Sequence, residues 1–251
     1  MLTRERALYW LDRWDRQQEY YIPDREERFA VIVDVVQEVV DRPDPLVVDL
    51  GTGPGSLAVR ILDRMPAATV VGVDADPLLR GLAEAAHGSD RFRIVAADLR
   101  EDGWFDALDL PRAPDAFVST TALHWMDREP LRKLITRCGA ALGAGGVFVN
   151  GDHLYEGPHG ARLDDLARVL TSRRARRVGV DGREDWQAWW RAVEEAPELA
   201  DLAHARAGGF DHAVQDRPTV HDHLAFLREA GFVEAGAVWQ FGDDRIIVGL
   251  R

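Results

Sequence analysis

The chain has 251 residues, 46% of them hydrophobic, with one cysteine and a formal net charge of −12. That length holds one large α/β domain, or a core domain with a smaller elaboration. So acidic a surface argues against nucleic acid, which requires a basic face, and against an anionic membrane surface. The single Cys138 excludes an intramolecular disulfide framework and fits a reducing compartment.

No stretch approaches the roughly 20 apolar residues that span a bilayer. The first residues lead into a charged amphipathic helix rather than a signal peptide, so a soluble cytoplasmic protein is expected. Residues 3–19 read as that helix, with Leu8, Trp10, Leu11 and Trp14 toward one side as a packing face or a lid. Tyr20-Tyr21-Ile22-Pro23 breaks it. Asp24 is placed to cap a second helix over 25–40, with Phe29, Ile32, Val35, Val36 and Val39 inward.

Residues 45–50 are apolar and branched, as in a parallel strand covered on both faces. Gly51, Gly53 and Gly55 follow, and then Leu57, Ala58, Ile61, Leu62 and Met65 at helical spacing. This turn is either a tight strand–helix connection or a cradle for a nucleotide-type ligand against bare main chain. Residues 68–74 form a second strand ending in Asp74. Asp76 and Pro77 then start a helix. Residues 92–98 form a third strand, ending in Asp98. A fourth covers 115–120, a helix 131–142 and a fifth strand 145–151. Beyond Asp152 the pattern changes: 155–207 reads as helical without a strand. Thr219 caps a helix that ends at Gly231, and a hairpin follows, with strands over 232–241 and 245–250.

The expected fold is α/β, a doubly wound Rossmann-like sheet of seven strands, parallel except for the antiparallel C-terminal hairpin, with a helical insert. Four segments follow: 1–44, N-terminal helices; 45–152, the core; 153–216, a helical insert covering the substrate; and 217–251, the helix and hairpin completing the sheet.

In such a sheet ligands sit at the carboxyl ends of the strands. There an acid after the second strand can accept from both hydroxyls of a ribose. An acid after the third can accept from an adenine amino group. Either aspartate alone could equally be a helix cap. Both acids in order behind a glycine turn favour a cofactor.

Asp49-Leu50-Gly51-Thr52-Gly53-Pro54-Gly55, Val73-Asp74-Ala75-Asp76, Ala97-Asp98-Leu99 and the Ala230-Gly231-Phe232 ending resemble the class I S-adenosylmethionine-dependent methyltransferases. The glycine spacing differs from that of nicotinamide dehydrogenases. The resemblance implies S-adenosyl-L-methionine as cofactor. It places Asp49, Gly51, Thr52, Gly53 and Gly55 at the methionine moiety, Asp74 at the ribose, and Ala75, Asp98 and Leu99 at the adenine. Thr120 lies where cofactor and acceptor meet. Tyr21 and Arg28 sit where the family's N-terminal helices close over the cofactor.

The loop from Ser119 to Trp125, ending Leu-His-Trp, is similar to that of the trans-aconitate and juvenile-hormone-acid methyltransferases. This implies a small-molecule acceptor, with O-methylation of a carboxyl or hydroxyl expected first. N- or C-methylation, or a non-transferring cyclase or regulatory module of the same fold, remain alternatives. His124 and His153 are the candidate catalytic bases, although either could be a capping or space-filling histidine. Trp125 and Tyr155 are candidate substrate contacts. His153 with His159, and His221-Asp222-His223, lack metal-ligand spacing and read as surface histidines, so no metal is expected. Trp186, Trp189 and Trp190 read as core packing of the insert, and the arginines at 173, 174, 176 and 177 as a solvated helix face.

Overall fold

The computed structural model describes residues 2–206 and 213–251. Residues 207–212, within the segment read as the helical insert, lie outside the described residues.

The strands are β1 (Leu46–Leu50), β2 (Thr69–Asp74), β3 (Phe92–Ala96), β4 (Ala116–Thr120), β5 (Val147–His153), β6 (Glu234–Phe241) and β7 (Asp244–Leu250). They form one sheet in the order β3-β2-β1-β4-β5-β7-β6. Every pairing through β5 is parallel, and β7 is antiparallel to both neighbours. This is the sheet the sequence leads one to expect, with β1 in its interior and buried at every residue.

Side chains alternate across a strand, so β1 serves two cores. Leu46, Val48 and Leu50 pack with Leu131, Leu134 and Ile135 of α5 (Arg128–Ala141) and Phe226 and Leu227 of α9 (Val220–Glu229). Val47 faces the other way, onto Phe29, Ile32 and Val36 of α2 (Arg25–Val39) and Leu57 and Ile61 of α3 (Ser56–Arg64). A third core lies off the sheet. There Trp10, Leu11 and Trp14 of α1 (Arg4–Tyr21) meet Leu78 and Leu82 of α4 (Pro77–His87) and Trp189 and Val193 of α7 (Trp186–Glu194). Trp189 is fully buried, with the Trp14 ring edge-on at 4.9 Å. The insert, α6 (Ala161–Val178), α7 and α8 (Ala200–Arg206), therefore docks mainly on α1 and α4.

Several elements differ from the expectation. Helix α1 continues through Tyr21, and Ile22 ends it. Asp24 makes no side-chain cap; its carboxylate instead accepts from Arg174 of α6, at 3.0 Å from Nε, which removes Arg174 from the supposed solvated face. Strand β3 ends at Ala96, leaving Asp98 on the following turn. Strand β5 runs on to His153, so Asp152 and His153 are strand residues above the sheet's carboxyl edge. Thr219 caps α9 reciprocally with Asp222, and Gly231 adopts φ +87° behind it.

Candidate functional site

A cavity of about 560 Å³ opens at the carboxyl ends of β1, β2 and β4, within the size range of ligand pockets. The glycine turn forms its floor. Gly51, Gly53 and Gly55 all have positive φ. A Cβ on Gly51 would stand 2.4 Å from the Ala122 Cβ, so this position admits no side chain. A Cβ on Gly53 would meet nothing within 4 Å, so the main chain there is open to a ligand. Gly55 lies outside the cavity wall; it packs on Phe92 and leads into α3 without a side-chain cap.

Asp74 lines the cavity at the tip of β2. Its two oxygens accept from Gly53 N–H and Asp76 N–H, each at 2.8 Å. Burial pushes it up to about 6 although both N–H groups favour the charge. Two further lone pairs remain for a pair of hydroxyls. Ala75, Asp98 and Leu99 line the same end of the cavity. Asp98 already holds Arg100 at 2.7 Å. Next to Asp74, Asp76 caps α4 and also accepts from Arg206 of α8 at 2.6 Å. The Arg206 guanidinium lies 3.7 Å from the Trp190 ring centre, so the insert is tied to the Asp74–Asp76 end of the cavity.

Besides Gly55, three expected contacts sit elsewhere. Asp49 points to the α2–α3 face and is fully buried beneath the turn rather than on the cavity wall. Thr52 Oγ donates to one of its oxygens at 2.7 Å, the other has no partner, and burial pushes the group up to about 7. Arg28 is likewise fully buried, off the wall. It donates to Asp244 at 2.8 Å, to Thr120 at 2.9 Å and to Thr121. Arg28 thus holds the end of β4, where Thr121 takes the left-handed φ of +55° while Thr120 and Thr121 face the cavity. Tyr155 is also off the wall. Tyr21 and Trp125 do line it, and the Tyr21 hydroxyl accepts from Trp186 N–H at 3.3 Å.

His124 and His153 both line the cavity. The residue the sequence reading missed is Asp152. It is fully buried at the end of β5, 2.6 Å from Nδ1 of His124, and it accepts from the His124 and His153 N–H groups at 3.0 and 2.8 Å. Burial alone would raise it; the His124 ring overrides this and holds it near 2. An ionised carboxylate only accepts, so Nδ1 of His124 is the donor in this pair and Nε2 is the nitrogen outside it. No local spacing signals it: Asp152 meets the loop after β4 because β5 pairs beside β4 in the sheet.

The tryptophans serve both readings: Trp189 is core, whereas Trp14, Trp186 and Trp190 also line the cavity. His223, read as a surface residue, is buried, and burial pushes it down to about 4.

Residues 47–146 match the family model described as a methyltransferase domain. The chain is 26% identical over 204 residues to a trans-aconitate 2-methyltransferase of Methylobacterium nodulans, covering 78% of this chain and 74% of that protein. It is 37% identical over 166 residues to one of Variovorax paradoxus, covering 66% of this chain and about half, 54%, of that protein. Among solved structures, magnesium protoporphyrin IX methyltransferase from Synechocystis with bound SAH superposes with a TM-score of 0.58. The identity there is 15%, over 96% of this chain and 94% of that one.

The architecture is that of the Rossmann-like methyltransferases. The family match, the glycine turn and Asp74 together support a class I S-adenosylmethionine-dependent methyltransferase, with S-adenosylmethionine as its cofactor. The residues present fit that group: a Cβ-free floor at Gly53 and, at the tip of β2, an acid with spare acceptor capacity.

Proposed function

We propose that the protein transfers a methyl group from S-adenosylmethionine to a hydroxyl oxygen of a small molecule bound between the glycine turn and His124. The carrying observation is the buried Asp152 carboxylate on Nδ1 of His124 at the cavity wall. S-adenosylmethionine, held by the glycine turn and Asp74, would supply an activated methyl on a sulfonium, with S-adenosylhomocysteine as the leaving group. The hydroxyl proton passes to Nε2 of His124, and Asp152 stabilises the resulting imidazolium. Trp14, Trp125 and Trp190 shield the site from water, the competing acceptor.

A carboxylate acceptor has no proton to give and needs no such pair. The relatives named for trans-aconitate support a small acceptor. The charges here favour a less anionic one. The wall arginines are already paired: Arg25 with Asp15, Arg100 with Asp98 and Arg206 with Asp76, at 2.6 to 2.7 Å. Gln in place of His124 removes the base. The expected result is a kcat loss of about 10²–10⁴-fold with weakly acidic phenols, a much smaller loss with phenols already ionised, and unchanged affinity for S-adenosylhomocysteine. Equal losses for both kinds of phenol overturn the base role.

A further inference from the structure

We infer that the cavity takes a planar acceptor with two oxygens on adjacent ring carbons, an ortho-dioxygenated aromatic, held between two acid-anchored histidines. Which oxygen reacts rests on the hydroxyl-transfer reading above.

His124 has a twin. His153, the last residue of β5, places Nδ1 3.2 Å from Asp243, which is buried in the turn between β6 and β7. Both imidazoles line the cavity, with ring centres 6.2 Å apart and planes at 80°. Each has Nδ1 committed to an acid, so each offers Nε2 to the cavity. Burial alone would lower His153, but the Asp243 bond and the charges of Asp243 and Asp244 prevail and raise it. A single hydroxyl occupies one Nε2 and leaves the second facing apolar ligand. Two adjacent oxygens satisfy both.

The surrounding wall sets the shape. Trp125 lies against the His124 ring at 4.6 Å. Trp186 and Trp190, 5.5 Å apart, line the cavity from the insert, where Tyr21 bonds the main chain of Trp186. Flat rings satisfy such walls better than a branched chain of carboxylates, which would leave charge against indole. In this arrangement His124 takes the proton from the reacting hydroxyl. His153 holds the neighbouring oxygen and thereby fixes which oxygen meets the methyl. Asp243 acts through His153 as a positioning residue.

The test is calorimetric titration, with S-adenosylhomocysteine present, of 2,3-dihydroxynaphthalene, 2,7-dihydroxynaphthalene, 2-naphthol and trans-aconitate. The expected result is that the 2,3-diol binds about tenfold or more tightly than the others, the worth of one charge-assisted hydrogen bond. His153→Gln and, separately, Asp243→Asn should abolish that margin while S-adenosylhomocysteine affinity, which reports an intact fold, stays unchanged. Equal affinities in the wild type, a margin that survives both substitutions, no binding by any naphthol, or tighter binding of trans-aconitate overturns the inference. A 2,3-diol margin without methyl transfer upholds the binding inference and overturns the transfer reading instead.

Discussion

Asp74 links cofactor binding to pH. Its carboxylate is fixed by Gly53 and Asp76, and burial pushes it up to about 6. If ribose hydroxyls donate to the ionised form, binding competes with protonation. At pH 8 nearly all of the ligand-free protein has Asp74 ionised; at pH 5 only about a tenth does. If only the ionised form binds, S-adenosylhomocysteine affinity falls about tenfold, or about 1.4 kcal/mol, between pH 8 and pH 5. Asp74→Asn removes the charge and turns an NH₂ toward a backbone N–H. The charge-assisted bonding it forfeits, about 1.5–3 kcal/mol, weakens binding roughly ten- to hundredfold at pH 8. Calorimetric titration of both proteins at pH 5, 6 and 8 reads the two effects. The difference between the proteins separates Asp74 from Asp49, which titrates nearby. A wild-type affinity that is flat between pH 5 and 8, or an Asp74→Asn protein that binds normally at pH 8, refutes the ribose assignment.

Three further outcomes are expected. Asp49 stays protonated to about pH 7 in the fold but ionises near 4 once unfolded, so the native state holds the extra proton and loses stability as pH rises through this range. Urea unfolding without cofactor should show Asp49→Asn removing about 2–3 kcal/mol of the wild-type decline between pH 5 and 8; an unchanged decline counts against a buried, protonated Asp49. Gly51→Ala forces a left-handed alanine into the Ala122 side chain, costing about 1–2 kcal/mol in backbone strain alone. Thermal melts and S-adenosylhomocysteine titration should both worsen, and a neutral result argues against the tight approach. Trp189→Ala empties the third core, and about 3–5 kcal/mol of stability should be lost in urea melts.

The glycine turn, Asp74 and the alternating strands could be read directly because each is a local signal. A turn that needs positive φ shows as glycine, and a doubly covered strand shows as an apolar run. Strand ends were less legible. Asp98 fell outside its strand and His153 inside its own, because a strand ends where main-chain hydrogen bonding to its neighbour stops, whatever the local pattern. Asp24 had the residue type of a helix cap, yet a distant arginine on α6 outcompeted the backbone for its carboxylate.

By itself the sequence determined the fold class and the glycine turn with Asp74 behind it, since both are written in contiguous residues. Only the tertiary structure decided how the His124 end of the cavity is built. His124 meets Asp152 because β5 pairs beside β4, and His153 meets Asp243 because the last hairpin pairs against β5. Arg28 and Asp49 lie behind the wall because strand alternation and helix packing turn them from the cavity. Such pairings join residues far apart in the chain, so no local spacing encodes them; the sheet order does.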